Sequence, residues 1–266
     1  LQTFCESRYE FRVLVDPIAT YNFQTLPEQP FISIIPGMPG TWVAVIPSTI
    51  KRGEPFSLKV KAEDDWGNPT NKAATRLKVK SNRRIETLPD FIEVKTGDFA
   101  TIISDIIVSV IGPLEISLYA PDGLLVATCN PAFVSETPDF KSYWGDLHGQ
   151  SEETLGTNSA TDYFEFGRDR AFLDACAHQG NDFQMTDAFW KDLNRITSHF
   201  NQDGRYVTLP GYEWSGNTAL GGDRNVYFPV EGRKMRRSSH ERIHTRTARR
   251  RTRTTRRTAS LGMRRS

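Results

Sequence analysis

The stretch Tyr143-Trp144-Gly145-Asp146-Leu147-His148-Gly149-Gln150 places a carboxylate and an imidazole two residues apart. Alternate side chains of an extended strand share one face, so Asp146 and His148 are predicted to point at the same place. An oxygen ligand and a nitrogen ligand directed at one point indicate the beginning of a metal site. The structural alternative is an aspartate that caps a turn and a histidine that packs beside Trp144.

Strand and helix patterns alternate after this stretch. The predicted strands are residues 144–148, 183–186, 206–209 and 225–228. Ser159, with Asp162 three residues later, predicts the start of a first helix, which ends at Gly180. A second helix is predicted from apolar residues at spacings of four, three and four: Phe189, Leu193, Ile196 and Phe200. This order implies a parallel sheet or part of a β/α barrel.

Candidate ligands recur at the ends of the predicted strands. Asp146 and His148 end the first strand, Asp187 follows the second, and Glu213 follows the third. Functional side chains of β/α folds collect at the C-terminal ends of strands. Three strand ends that each offer a ligand therefore predict a metal site more strongly than any single motif does.

Three motifs resemble those of the polymerase-and-histidinol-phosphatase (PHP) phosphoesterase superfamily. They are Asp146-Leu147-His148, Thr186-Asp187 and Gly211-Tyr212-Glu213. The longer run from Trp144 to Ser239 resembles one uncharacterised branch of that superfamily, a domain-of-unknown-function family. The resemblance implies a distorted β/α barrel with two or three divalent ions, zinc, manganese or iron, that activate water for phosphoester hydrolysis.

The resemblance also implies roles for individual residues. His148 would be a metal ligand, with Asp146 as a further ligand or as its orienting partner. Asp187 and Glu213 would be both metal ligands and catalytic carboxylates. Arg224 and Asn225 follow a flexible pair of glycines, and we expect them either to contact the phosphate of a small phosphorylated substrate or to form a surface turn.

Two positions depart from the superfamily pattern. Gln150 stands where a second histidine is usual, and Ala188 stands where a histidine usually follows the aspartate. The later motifs of the superfamily lie beyond residue 240, and His240 and His244 are weak substitutes for them. We therefore expect a truncated member with an incomplete ligand set, and an unclosed barrel that leaves a sheet edge and an apolar face exposed.

The region before the central stretch has a purely β pattern. Its clearest alternation of apolar and polar residues is Phe56-Ser57-Leu58-Lys59-Val60-Lys61. Several short strands separated by turns favour an immunoglobulin-like sandwich. The predicted organisation is an irregular segment at 1–40, a β-sandwich at 41–135, a partial PHP-like β/α domain at 142–232 and a disordered basic tail at 233–266.

The net charge of +2 conceals an acidic body and a basic tail. Residues 231–266 contain fourteen Lys and Arg and two acidic residues, whereas the other residues contain twenty basic and thirty acidic ones. Such a tail would bind nucleic acid electrostatically, but a shifted reading frame explains it more simply. We expect no signal peptide and no membrane-spanning segment, and the compartment and oligomeric state stay open.

Two hypotheses of function follow from these patterns. The first is a metal-dependent hydrolase of the PHP type, with an incomplete site in this chain. The second is a non-catalytic binding protein that uses the β-sandwich. His178 and His199 are expected to be structural residues near helix ends, Cys176 is expected in a core, and Ser151 belongs to no Ser-His-Asp spacing.

Overall fold

A computed structural model describes residues 2–216 and 222–238. The chain divides into two compact units. Unit 1 contains the residues up to Gly145 together with Glu165–Asp174, and unit 2 contains Asp146–Phe164 and the residues from Ala175 onward.

Unit 1 is built from β-strands. In chain order they are β1 (Glu6–Glu10), β2 (Leu14–Val15), β3 (Gln24–Thr25), β4 (Phe31–Ile34), β5 (Thr41–Val45), β6 (Thr49–Lys51), β7 (Phe56–Glu63), β8 (Pro69–Thr70), β9 (Thr75–Ser81), β10 (Phe91–Val94), β11 (Thr101–Ile106), β12 (Gly112–Leu114), β13 (Ile116–Tyr119), β14 (Leu125–Thr128) and β15 (Ala132–Ser135). A π-helical turn at Phe166–Arg170 also belongs to this unit.

Two antiparallel sheets enclose the core of unit 1. One has the strand order β10-β9-β13-β14, and the other has β11-β7-β5 with β8 beside β7. Leu58 of β7, Leu77 of β9 and Leu118 of β13 are fully buried in the shared core, because alternate residues of each strand face inward. The β-sandwich predicted for this region is confirmed.

Smaller pairings complete unit 1. Strand β15 lies between β12 and β6 and runs parallel to β6, whereas β1 pairs with β4 and β2 pairs with β3, both antiparallel. The predicted irregular segment at 1–40 thus contains four short strands.

Unit 2 combines strands and helices. Its elements are β16 (Gly145–Gly149), α1 (Ala160–Glu165), β17 (Ala175–His178), α2 (Asp187–Phe200), β18 (Val207–Thr208), β19 (Gly211–Ser215) and β20 (Asp223–Tyr227). Strand β17 lies between β16 and β18 in a three-stranded sheet, and β19 pairs with β20 in an antiparallel hairpin.

Helix α2 follows its predicted pattern. The side chain of Thr186 caps the helix by accepting a hydrogen bond from the Phe189 backbone N–H at 3.0 Å. Leu193, Thr197 and Phe200 are buried along one face, as residues four and three apart must be. Asp187 lies in the first helical turn, where a negative charge is favourable to the helix dipole.

The first predicted helix is wrong in its second half. The helical part consists of α1 and the π-helical turn and ends at Arg170. Phe172 then adopts a left-handed φ of 62°, and β17 begins at Ala175. Cys176, Ala177 and His178 are all buried, since β17 has a paired strand on both sides. A central buried strand lacks alternation, and its short apolar run cannot be told from a buried helix by periodicity.

The predicted β/α barrel is also wrong. The described parts of unit 2 contain an open three-stranded sheet and a separate hairpin, and only β17 and β18 are joined through a long helix. Residues 183–186, predicted as a strand, form a turn that leads to the cap of α2. Only Leu209 and Pro210 separate β18 from β19, which is too short for a crossover helix.

Part of the predicted disordered tail is packed against the rest of unit 2, to which it belongs. We call residues 232–238 the C-terminal strap. The Gly232 backbone N–H donates to Asn194 Oδ1 at 2.9 Å, and Met235 is buried. The Arg237 guanidinium donates to the backbone carbonyls of Asp182 and Met185. These hydrogen bonds hold the C-terminal strap in place, although its sequence has no apolar periodicity that would predict packing. The remaining tail, from 239, lies outside the described residues.

Candidate functional site

The candidate site of unit 2 lies where β16 meets the β19–β20 hairpin. Glu213 on β19 is directly opposite Asn225 on β20, so their side chains share one face of the hairpin. His148 on β16 contacts both of them. At Gly149 a Cβ atom would lie 2.1 Å from the Tyr163 ring, so this glycine allows the close packing that holds the end of β16.

Both nitrogens of the His148 ring face acceptors. Nε2 lies 3.4 Å from Glu213 Oε2, and Nδ1 lies 2.9 Å from Asn225 Oδ1. The amide nitrogen of Asn225 donates to the Tyr227 hydroxyl at 3.0 Å, and this hydroxyl donates to the Leu147 carbonyl at 2.6 Å. This chain of donors turns the Asn225 oxygen toward the ring, so Nδ1 carries a proton.

Glu213 is a buried acid beside an exposed imidazole. Its side chain is 8% exposed, and that of His148 is 58% exposed. Burial raises the pKa of Glu213, and the charge of Asp223 raises this pKa further, although His148 and the hydrogen bond from Asn181 act in the opposite direction. Glu213 therefore keeps its proton up to a higher pH than an ordinary glutamate does.

The His148–Glu213 contact places an imidazole beside a buried carboxyl group, and either of them can carry a proton. Burial raises the pKa of Glu213, which favours the protonated acid over the carboxylate. The side chain of His148 is exposed and gives a ligand access to this contact.

Two side-chain amides, those of Asn181 and Gln150, orient Glu213 through hydrogen bonds. Asn181 Nδ2 donates to Glu213 Oε1 at 2.9 Å and to Ser215 Oγ at 2.8 Å. Its oxygen accepts from Gln150 Nε2 at 3.1 Å, and the Thr154 hydroxyl donates to Gln150 Oε1 at 2.9 Å. Gln150, which departs from the superfamily pattern, thus fixes the amide that holds Glu213.

Sequence reasoning missed Asn181. This residue lies three positions after the end of β17, a place typical of functional side chains in parallel sheets. The signal was hidden because β17 was assigned to a helix that ended at Gly180. Had the strand been recognised, the polar residues Gln179, Asn181 and Asp182 within the next four positions would have indicated it.

The other predicted site residues lie in different environments. Asp146 Oδ1 accepts the backbone N–H of His148 at 2.9 Å, so this aspartate caps the strand end. The side chain of Asp187 is 95% exposed and pairs with Arg237 at 2.7 Å. The Arg224 guanidinium lies over the Trp214 ring, on the hairpin face opposite Asn225.

The predicted ligands do not form a metal site. Within 2–216 and 222–238, no group of three or more His, Cys, Asp and Glu side chains could hold a metal ion. Of the four predicted ligands, only His148 and Glu213 come together, because Asp187 begins α2 instead of ending a strand. The prediction of a zinc, manganese or iron cluster is not supported by this donor set.

A second buried cluster contains Ser151, His178 and Glu153. Ser151 Oγ lies 2.7 Å from His178 Nε2 and donates to Glu153 Oε2 at 2.5 Å. His178 Nδ1 accepts the Gly180 backbone N–H at 3.2 Å, so the ring proton is on Nε2 and points at the serine. A serine nucleophile needs an imidazole that accepts its proton, and this polarity is reversed. The cluster is structural.

Comparisons with known proteins identify relatives without a described activity. No family model matches the chain. It is 25% identical over 236 residues to uncharacterised proteins of Chlamydia pneumoniae and Chlamydia muridarum, and 24% identical over 234 residues to one of Chlamydia trachomatis. Each alignment covers 86% of this chain and 37% of the relative, so the chain spans little more than a third of their length.

Solved structures give only weak likenesses. The D00-D0 domain of intimin aligns with a TM-score of 0.30 and 8% identity, over 41% of this chain and 56% of that one. Domains 4 and 5 of the S-layer protein SbsC align with a TM-score of 0.25 and 14% identity, over 43% and 53%. Scores this low carry no conclusion about fold or function. No helix in the described ranges has the length and apolar character to cross a membrane.

Proposed function

We propose that unit 2 carries an acid–base site, in which His148 and Glu213 bind a small polar ligand and exchange one proton with it. The observation that supports this proposal is the contact between His148 Nε2 and the buried Glu213 Oε2, 3.4 Å apart, with Nδ1 held by Asn225 Oδ1. In this proposal the buried Glu213 side chain accepts the proton, and the exposed His148 ring transfers it to the ligand and takes it back.

The exchange requires no other group of the chain. A ligand heteroatom takes the proton from Nε2, and the Glu213 carboxylate then accepts a hydrogen bond from the ligand in place of the imidazolium. When the ligand returns the proton, the pair is restored. Asn181 holds Glu213 Oε1 throughout, because its own oxygen is engaged by Gln150.

The family resemblance implies phosphoester hydrolysis, which would need more metal ligands than His148 and Glu213 supply. No step of the proposal involves a metal ion, since Asp146 and Asp187 engage other partners. Metal content and manganese-stimulated phosphatase activity of the purified chain test that wider prediction. Binding through the β-sandwich stays an alternative, and nucleic-acid binding concerns a tail that lies outside the described residues from 239 onward.

Nuclear magnetic resonance tests the proposed pair directly. The chain is labelled so that the imidazole nitrogens of His148 and the carboxyl carbon of Glu213 are followed from pH 4 to 9. We expect the Glu213 carboxyl signal to titrate at a higher pH than that of an ordinary glutamate, because burial raises its pKa.

Two variants complete this experiment. Glu213→Gln removes the carboxylate beside Nε2 and should shift the imidazole nitrogen signals of His148, because Nε2 loses its acceptor. Glu231→Gln removes the same charge from an exposed position of unit 2 and should leave the signals of His148 and Glu213 unchanged. A Glu213 carboxyl that titrates like an ordinary glutamate, or His148 signals that Glu213→Gln leaves unchanged, would overturn the proposal.

A further inference from the structure

Residues 6–35 of unit 1 form a two-stranded ribbon, which we call the N-terminal ribbon. Strand β1 pairs with β4, and β2 pairs with β3 between them in the chain, so the four strands make one long hairpin. None of these residues is buried. A two-stranded hairpin is at best marginally stable in water unless a further strand or a packed face supports it. The ribbon is therefore a candidate surface for a partner.

The ribbon has a large exposed apolar area. Nine of its large apolar side chains are exposed, and three of them, Phe31, Ile32 and Ile35, lie on β4 or directly after it with exposed fractions of 50%, 40% and 68%. At roughly 100 Å² for each half-exposed side chain, the ribbon presents roughly 900 Å². A protein interface of standard size buries about 800 Å² on each partner. The area is thus sufficient for a protein partner.

The two outer edges of the β1–β4 pair differ. Strand β1 contains one extra residue between Glu6 and Tyr9 and carries Arg8 and Glu10, whose side chains form an ion pair at 3.4 Å. Bulges and charged side chains are the usual protection of a sheet edge against a further strand. Strand β4 has neither, because the extra residue is on β1 and no charged residue occurs from 29 to 50. The edge of β4 is therefore the unprotected one.

Backbone groups of β4 are available on this edge. The Phe11 N–H donates to the Pro30 carbonyl at 2.8 Å, so the backbone of Pro30 faces β1. Because the groups of an antiparallel ladder alternate, those of Phe31 and Ser33 face away from β1, and neither Pro30 nor Pro36 removes an N–H from that outer edge. In the described part of the chain, β1 is the only strand that pairs with β4. An extended segment can therefore add to the sheet at this edge.

We propose that the outer edge of β4 pairs with the same edge of a second copy of the chain, antiparallel and about a two-fold axis at Ser33. This register sets residue 31 of each copy opposite residue 35 of the other, 32 opposite 34, and 33 opposite 33. All of these side chains are uncharged, and Arg8 and Glu10 stay on β1, one strand away from the seam. The result is a four-stranded sheet in the order β1-β4-β4-β1.

A second copy fits this edge because the edge is complementary to itself. Phenylalanine 31 would face isoleucine 35, and an aromatic residue opposite a β-branched one stabilises an antiparallel pair. A two-fold contact also closes after two copies, so it leaves no unprotected β4 edge for further growth. The inference concerns unit 1 alone and is independent of the acid–base site of unit 2.

Sedimentation velocity of the full chain over a range of concentrations tests the inference. The seam covers only part of the ribbon, so we expect a weak dimer with a dissociation constant on the order of 10 μM. The average mass should rise from that of one chain to that of two between about 1 and about 200 μM and then stay constant. A mass of one chain throughout, or a mass that continues to rise beyond two chains, would overturn the proposal.

Two substitutions at Ser33 test the register. Because position 33 faces itself, Ser33→Lys and Ser33→Glu each place like charges opposite each other, and each variant should dimerise about tenfold more weakly. An equimolar mixture of the two variants places opposite charges together and should dimerise at least as strongly as the unaltered chain. A mixture that associates no better than either variant alone would refute the two-fold pairing at Ser33.

Ser104→Lys is the matched control. Ser104 is an exposed serine on β11, an edge strand of the sandwich, and its hydroxyl takes part in one exposed hydrogen bond, as that of Ser33 does. This variant should dimerise like the unaltered chain. If it dimerises as weakly as Ser33→Lys, the loss is an effect of net charge and the proposal fails. Circular dichroism checks that each variant is folded, and should a Ser33 variant not fold, the concentration series of the unaltered chain decides alone.

Discussion

Acidification should loosen unit 2 through His178. This histidine is 1% exposed, and its two nitrogens are engaged by Ser151 Oγ and by the Gly180 backbone N–H. Burial lowers the pKa of His178 to about 4, and the charge of Glu153 opposes this change only in part. A second ring proton would face the Gly180 N–H, which is itself a donor.

The sign and size of the effect follow from proton linkage. Between pH 6.5 and 4 the unfolded chain binds a proton at this histidine and the folded chain does not, so stability falls as the pH falls. The difference between an ordinary value of 6.5 and about 4 corresponds to about 3 kcal/mol, and most of it is lost by pH 4. Above pH 6.5 the contribution is complete.

Hydrogen exchange at the Ala177 amide measures this loss within unit 2. Its opening free energy, corrected for the intrinsic pH dependence of exchange, is compared at pH 7, 5.5 and 4.5 in the unaltered chain and in His178→Asn. The variant keeps a polar group but cannot titrate, so its pH dependence should be shallower by the amount that His178 contributes. His199→Asn, at an exposed position of α2, is the control. Parallel losses in the unaltered chain and in His178→Asn would refute this reasoning.

Three further substitutions test the packing of unit 2. Gly211→Ala should destabilise it by about 1–3 kcal/mol in urea unfolding, because the new methyl group collides with the Gln179 amide, and unchanged stability would contradict that placement. Arg237→Ala should release the C-terminal strap and expose it to proteolysis, since the Met185 carbonyl loses its donor, and an equally resistant strap would show that Arg237 does not hold it. Thr186→Ala should cost α2 about 1 kcal/mol by removing its N-cap, which hydrogen exchange in the first turn would detect; Thr186→Ser should retain most of it.

Local patterns accounted for the elements in which one face is buried. The alternation at 56–61 predicted β7, because a sandwich strand buries every second residue. The spacing from Phe189 to Phe200 predicted α2, although the role of Thr186 as its cap was not predicted. In such elements the spacing of apolar and polar residues predicts which side chains are buried.

Elements buried on all sides were misread. The run Ala175-Cys176-Ala177-His178 has no exposed position to mark a face. For this reason neither β17 nor the location of Asn181 was predicted. Asp187 was placed at a strand end for a different reason: residues 183–186 were read as a strand, whereas they form a turn and Thr186 caps a helix there. The predicted strand at 183–186 does not exist, and the antiparallel β19–β20 hairpin does not fit a β/α barrel.

The sequence by itself determined that residues 41–135 form a β-sandwich and that a helix carries Phe189, Leu193 and Phe200 on one face, and it indicated His148 and Glu213 as candidate site residues. Only the tertiary structure decided which groups meet. The register of β19 on β20 sets Asn225 opposite Glu213, and the end of β16 brings His148 within 3.4 Å of that carboxylate. Local order along the chain reports burial and backbone preference, whereas the distance between residues 148 and 213 depends on long-range strand pairing. No short-range pattern encodes that pairing, because it is selected by the packing of the whole unit.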